Sequence, residues 1–198
     1  MFYLFDRGGS MEPRLFEGVQ GSENLVNTAG FIRNIVSRGQ ASLSSSQAAQ
    51  ALPTRLAIPN INLNAMLEHV GVTQSGVLDA PKVPTMAAWF DRGPRPGEKG
   101  NAIIIGHFGW KNGIPAVFDG LYKLHEGDRI YVIDENNATT TFVVRELRTY
   151  RENDDASEVF RSRDGNAHLN LITCSGVWNK ARKSYSNRLV VFADKVME

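Results

Sequence analysis

The sequence predicts a mainly β fold, and three observations carry that prediction. Six runs rich in Val, Ile, Thr and aromatic residues recur along residues 52–198, each is bounded by Gly, Asn, Asp or Pro, and helical spacing is confined to short pieces. Short strands separated by turns at this interval build a barrel or a sandwich. In chain order the runs are RLAIP (55–59), NAIIIGH (101–107), DRIYVID (128–134), TTTFVVRELRTY (139–150), HLNLITC (168–174) and RLVVFADKV (188–196). The ENN at 135–137 joins two of them as a hairpin turn, because Asn tolerates positive φ. Helical character is expected over VPTMAAWF (83–90), IPAVFDGLYKL (114–124) and ASEVFRS (156–162).

Residues 1–51 differ in composition from the rest of the chain. Met1 to Ser10 ends in a Gly-Gly-Ser-Met join that reads as an expression leader and stays out of fold reasoning. Residues 25–39 place Leu25, Phe31, Ile32, Ile35 and Val36 at loose helical spacing, and SRGQASLSSSQAAQ (37–50) has the small, polar composition of a linker. The expected organisation is a leader and linker over 1–51 and one domain over 52–198. No stretch reaches the ~18 apolar residues of a membrane-spanning helix, so the chain as given reads as soluble.

Charge and cysteine content narrow the chemistry. Lys plus Arg number 22 against 21 Asp plus Glu, a balance that supplies no general field for nucleic acid or an anionic membrane. One cysteine excludes an internal disulfide and any zinc site built on several thiolates. Asp154, Asp155 and Glu158 fit no complete calcium loop. These residues therefore give no reason to expect a metal site.

That single cysteine, Cys174, is either core filling or a nucleophile. It lies at the expected last residue of HLNLITC, before Ser175 and Gly176, and a strand end holds a side chain rigidly at a rim. A thiol nucleophile needs a proton partner, and His107 closes NAIIIGH as Cys174 closes its own strand. His69, His125 and His168 have no such placement. Arg188 opens the last strand, where its guanidinium fork suits a substrate carbonyl or an oxyanion.

Taken in order, GHFGW with His107, LITC with Cys174 and NRLVVFA with Arg188 resemble the sortases, bacterial cysteine transpeptidases of the cell surface. The segment from 58 to 107, rich in Pro and Gly on its approach to the histidine, resembles sortase classes E and F. The sequence departs from the family's TLTC strand end by placing Leu171 at the first threonine, and it carries no Asp-Pro-aromatic lid like that of pilin-polymerising sortases. The resemblance implies a closed sortase-type barrel of about eight strands with a few short helices. It also implies a thioester mechanism with catalytic Cys174, His107 and Arg188, a reaction that needs no metal or organic cofactor. Expected partners are surface proteins bearing an LPxTG-like sorting signal and an amine acceptor of the cell-wall precursor, met at the extracytoplasmic face of the membrane.

Candidate substrate contacts are Thr173 beside the cysteine, Val159 and Phe160 in the 151–167 loop, and Trp178 in the 177–187 loop. Val159 and Phe160 can equally be the buried side of a one-turn helix, and Trp178 can simply pack on the barrel. Lys180, Arg182 and Lys183 make the second loop basic, suited to an acidic second substrate or to solvent. Two other functions stay open: a different cysteine acyl-transfer enzyme, such as a peptidase or an L,D-transpeptidase, and a catalytically silent surface-binding domain.

Overall fold

The computed structural model describes residues 51–74, 76, 78–110, 113–181 and 184–197. The leader expected over 1–51 lies outside them except for Ala51. Eight strands close into one barrel: β1 (Pro53–Ile58), β2 (Leu63–Val70), β3 (Ala87–Phe90), β4 (Gly100–Gly106), β5 (Arg129–Asp134), β6 (Thr139–Arg151), β7 (Ala167–Asn179) and β8 (Ser184–Lys195). Their order around the barrel is β1-β2-β3-β4-β7-β8-β6-β5, and β5 pairs back onto β1. Neighbours are antiparallel except β2/β3 and β4/β7, which run parallel.

Alternation of side chains explains both cores. Residues of one parity fill the barrel: Leu56 and Ile58, Ala102 and Ile104, Leu169 and Leu171, Val191 and Ala193, with Phe118, Leu121 and Phe142. Residues of the other parity on β4, β7 and β8 would face water, yet Ile103, Ile105, Ile172, Val190 and Phe192 are buried in a second cluster. A single helical turn, α1 (Ser157–Phe160), supplies part of that cover through Val159 and the preceding Ala156. This double coverage is why NAIIIGH and LNLITC read as continuous apolar runs.

The structure corrects several sequence expectations. VPTMAAWF is not helical; its last four residues form β3, where pairing with β2 and β4 overrides the weak strand preference of Ala87 and Ala88. IPAVFDGLYKL folds as a turn and a 3-10 turn, Leu121–Lys123, with Leu121 buried. Strand β2 was not among the six expected runs, although Leu63, Ala65 and Leu67 alternate inward with exposed Asn64 and Met66. The ENN turn is present: Asn137 has φ 62°, and Asp134 Oδ1 accepts the N–H groups of Asn136 and Ala138 at 2.9 Å each.

Strand β7 does not stop at Cys174. Gly176 (φ 81°) forms an irregularity at which the register slips, and pairing then resumes at Trp178↔Tyr185 and Asn179↔Ser184. Ser186 Oγ occupies the space a Cβ on Gly176 would need, so glycine keeps the two strands together there. The expected loop at 177–187 is therefore mostly a hairpin arm, and Arg188 sits inside β8 rather than at its start. Arg182 and Lys183 lie outside the described residues.

Candidate active site

Strand register builds the site. The parallel β4/β7 ladder ends with Ile105 opposite Ile172, and carrying that register on past the Thr173–Gly106 hydrogen bond sets His107 level with Cys174. On the other side Cys174 is the direct partner of Arg188, and Arg188 in turn of Tyr150. Cys174 shares the parity of Ile172, Arg188 that of Val190 and Phe192, and His107 that of Ile103 and Ile105. Histidine, thiol and guanidinium therefore form one row on the barrel's outer face, with neighbouring strands about 4.8 Å apart. All three are buried, at 8%, 7% and 8% exposure for His107, Cys174 and Arg188.

Local contacts hold each member in place. Thr173, 1% exposed, donates its hydroxyl to the Gly106 carbonyl at 2.8 Å, tying β7 to β4 one residue before both reactive side chains. A Cβ on Gly106 would collide with the buried Phe118 ring, which is why glycine precedes the histidine. His107 Nε2 lies 2.7 Å from the Pro81 carbonyl, which can only accept, so that nitrogen carries the proton and Nδ1 is the basic one. The Trp110 ring meets the imidazole edge-on at 4.6 Å. Asp119 fixes the loop after His107 by accepting the N–H groups of Gly109 at 2.7 Å and Ala116 at 2.8 Å.

The hairpin arm leans on that same loop. Tyr185 packs edge-to-face between Phe108 at 5.4 Å and Trp178 at 5.1 Å. A Cβ at Gly109 (φ 60°) would stand 2.7 Å from the Tyr185 hydroxyl. Arg188 Nη1 donates to the carbonyls of Tyr185 at 3.1 Å and Asn187 at 2.9 Å, which orients the guanidinium beside Cys174. Burial pushes the Cys174 thiol up, opposed by the Arg188 charge. Burial also pushes the His107 imidazole down, opposed by its bond to Pro81 and by the charge of Glu68. Both shifts favour the uncharged forms, a thiol and a neutral imidazole.

The remaining candidates separate. Trp178 is 48% exposed on the hairpin arm, whereas Val159 is 1% exposed and packs in the outer cluster. Its carbonyl accepts the side-chain amides of Asn101 at 3.1 Å and Asn170 at 2.6 Å, so α1 is anchored to β7 four residues before Cys174, about 13 Å along the strand. Of the two residues on that helix only Phe160, 37% exposed, offers a surface to a substrate. Thr173 is spent on Gly106 rather than turned to solvent. Asp154 and Asp155 accept the N–H groups of Arg151 and Ser157, and Glu158 binds Tyr150 and Arg148. Among the described residues no group of three His, Cys, Asp or Glu side chains is placed to hold a metal.

Sequence reasoning missed Pro81, Glu68, Phe118 and Tyr185, whose relation to the site exists only in three dimensions. One local signal was present, since a glycine directly before and another two residues after His107 imply close neighbours.

Comparison with known proteins bears on the family and the fold. A family model described as the sortase domain matches residues 56–196. Among solved structures, the chain is similar to sortase C-1 from Actinomyces oris (22% identity, 73% of this chain and 74% of that one, TM-score 0.58). It is also similar to sortase C1 from Streptococcus agalactiae (25% identity, 73% and 67%, TM-score 0.57). A lid mutant of sortase A from Corynebacterium diphtheriae is likewise similar (23% identity, 77% and 74%, TM-score 0.57). No curated protein matches in a sequence search. With a closed eight-stranded barrel and a match over most of its length, the chain belongs to the sortase family of cysteine transpeptidases.

Proposed function

We propose that residues 52–198 form the catalytic domain of a transpeptidase that cleaves an LPxTG-like sorting signal between Thr and Gly. In this reading it passes the acyl group to an amine of the cell-wall precursor. The observation that supports it is the single outer-face row of His107, Cys174 and Arg188.

In this reaction the Cys174 proton passes to His107 Nδ1 as sulfur attacks the threonine carbonyl. Arg188 donates to the oxyanion that forms. Collapse breaks the Thr–Gly bond, the imidazolium gives its proton to the departing glycine amine, and a thioester remains on Cys174. An incoming amine attacks that thioester and yields its proton to His107; the sulfur leaves as thiolate and recovers a proton from the same ring. Starting from a neutral pair costs a proton transfer at each turnover, which burial makes harder and Arg188 makes easier.

Phe160 and Trp178 supply exposed contact to the peptide, while Thr173 and Val159 act from behind by holding strand and helix. In this reading the domain works at the extracytoplasmic face of the membrane. No helix among the described residues is long and apolar enough to cross one.

The test is mass spectrometry of the protein incubated with a library of LPxTG-like peptides, with and without an amine acceptor. An acyl adduct on Cys174 that is released onto the amine is the expected result. Release to water alone would favour a peptidase, and no adduct with any peptide would favour a silent binding domain.

A further inference from the structure

The Pro81–Lys82 peptide unit is held at both ends by residues of the site. Its carbonyl accepts from His107 Nε2 at 2.7 Å, and its N–H, on Lys82, donates to Glu68 Oε1 at 3.2 Å. Glu68 lies on β2 and is half-buried. A carboxylate is therefore joined to the imidazole through one planar, conjugated group. Resonance in that group couples its two hydrogen bonds: an anion at the N–H raises the electron density on the carbonyl oxygen that His107 binds.

We propose that Glu68 is a positioning residue for His107, acting through the Pro81–Lys82 peptide unit. In effect it is a carboxylate–peptide–histidine relay that orients the ring and stabilises its protonated form. The proposal rests on the reading of His107 as the proton carrier. It gives β2 a part in the site, which otherwise draws on β4, β7 and β8.

Three features support the relay. The bond to Pro81 leaves His107 with Nδ1 as its basic nitrogen, so holding Nε2 determines which atom serves the thiol. Asp119 accepts backbone N–H groups in the loop after His107 and so is already committed. The charge of Glu68 acts on His107 in the direction the relay requires, raising its basicity against the effect of burial. The charged and titratable groups on the elements about the ring include Glu68 from β2, Lys82 on the bonded peptide unit, Asp119 in the loop after His107, Cys174 from β7, and Tyr185 and Arg188 from β8.

Two substitutions separate charge from scaffold. Glu68→Gln keeps an oxygen to accept the Lys82 N–H but removes the charge, whereas Glu68→Ala removes both. The primary readout is the His107 titration midpoint, followed by NMR in protein with labelled histidine, which needs no substrate. Glu68→Gln should lower that midpoint by about half a pH unit or more, and Glu68→Ala by at least as much.

With a cleaved sorting peptide, kcat should fall about three- to tenfold in Glu68→Gln while KM stays within twofold. An unchanged His107 midpoint in both variants overturns the relay. A midpoint shifted only in Glu68→Ala reduces Glu68 to a scaffold and overturns the electrostatic claim. If the wild type acylates on no peptide yet the midpoint moves as expected, the proposed reaction fails and the relay stands.

Discussion

Thr173 and Gly106 are joined across the parallel β4/β7 seam by a hydroxyl-to-carbonyl hydrogen bond of 2.8 Å, one residue before Cys174 on one strand and His107 on the other. Thr173→Val keeps the shape and leaves the Gly106 carbonyl without that donor. We expect a loss of about 1–2 kcal/mol in urea denaturation, together with a drop in kcat, because the seam sets the spacing of thiol and imidazole. A variant with wild-type stability and turnover would show that backbone pairing alone sets it.

Cys174→Ala separates the two readings of the lone cysteine. The side chain is 7% exposed, so its removal costs about 1 kcal/mol at most, while cleavage and transfer should both vanish because they share one thioester. Thermal melting alongside a peptide cleavage assay checks this. Retained transfer would remove Cys174 from the mechanism.

Arg188→Lys keeps the charge and loses the planar fork that the Tyr185 and Asn187 carbonyls orient. Turnover should fall by about 10²- to 10³-fold with the fold intact by circular dichroism. Near-normal turnover would mean that charge alone matters at this position.

The pH dependence follows from burial. The thiol is pushed up and Arg188 opposes the push, so alkylation of Cys174 by iodoacetamide should rise with pH along a limb above the ordinary thiol range of about 8.5. Arg188→Gln should move that limb further up; a downward move would contradict the assignment. For stability the sign is the same. A thiol with a raised folded pKa favours the fold fully below the unfolded thiol pKa, and that contribution is lost as pH rises through the folded one. His107, with its folded pKa lowered, behaves oppositely, its contribution being lost as pH falls below about 6.5.

Gly106→Ala tests the packing under the histidine. The new methyl group would press on Phe118, which is fully buried, at a cost of about 1–3 kcal/mol. Loss of activity exceeding the loss of stability, measured by denaturation and turnover together, would show that His107 has been displaced.

The legible part of this chain was whatever a strand writes locally. Val, Ile and Thr runs marked six strands, and reactive residues near the ends of three of them marked the site. Strand β3 was hidden because Ala87 and Ala88 carry no strand preference and gain it only from pairing on both sides. Cys174 looked like a strand terminus because Gly176 usually breaks pairing, whereas here its positive φ lets the ladder slip and continue. Val159 reads as a contact residue from its loop, and only the Asn101 and Asn170 amides reveal that its backbone anchors the helix. Glu68 carried no signal at all, since a carboxylate 39 positions before a histidine says nothing until β2, the 81–82 peptide and β4 are folded together.

The barrel is made of two contiguous stretches of chain, β1 to β4 and β5 to β8, joined only along the β1/β5 and β4/β7 edges. His107 comes from the first stretch, and Cys174 and Arg188 come from the second. The proposed trio is thus complete in neither half and comes together only when the β4/β7 seam forms, a step that joins partners far apart in sequence and so is slow. During refolding from denaturant, strand signal should return before peptide-cleaving activity, and the lag between them would time the joining of β4 to β7.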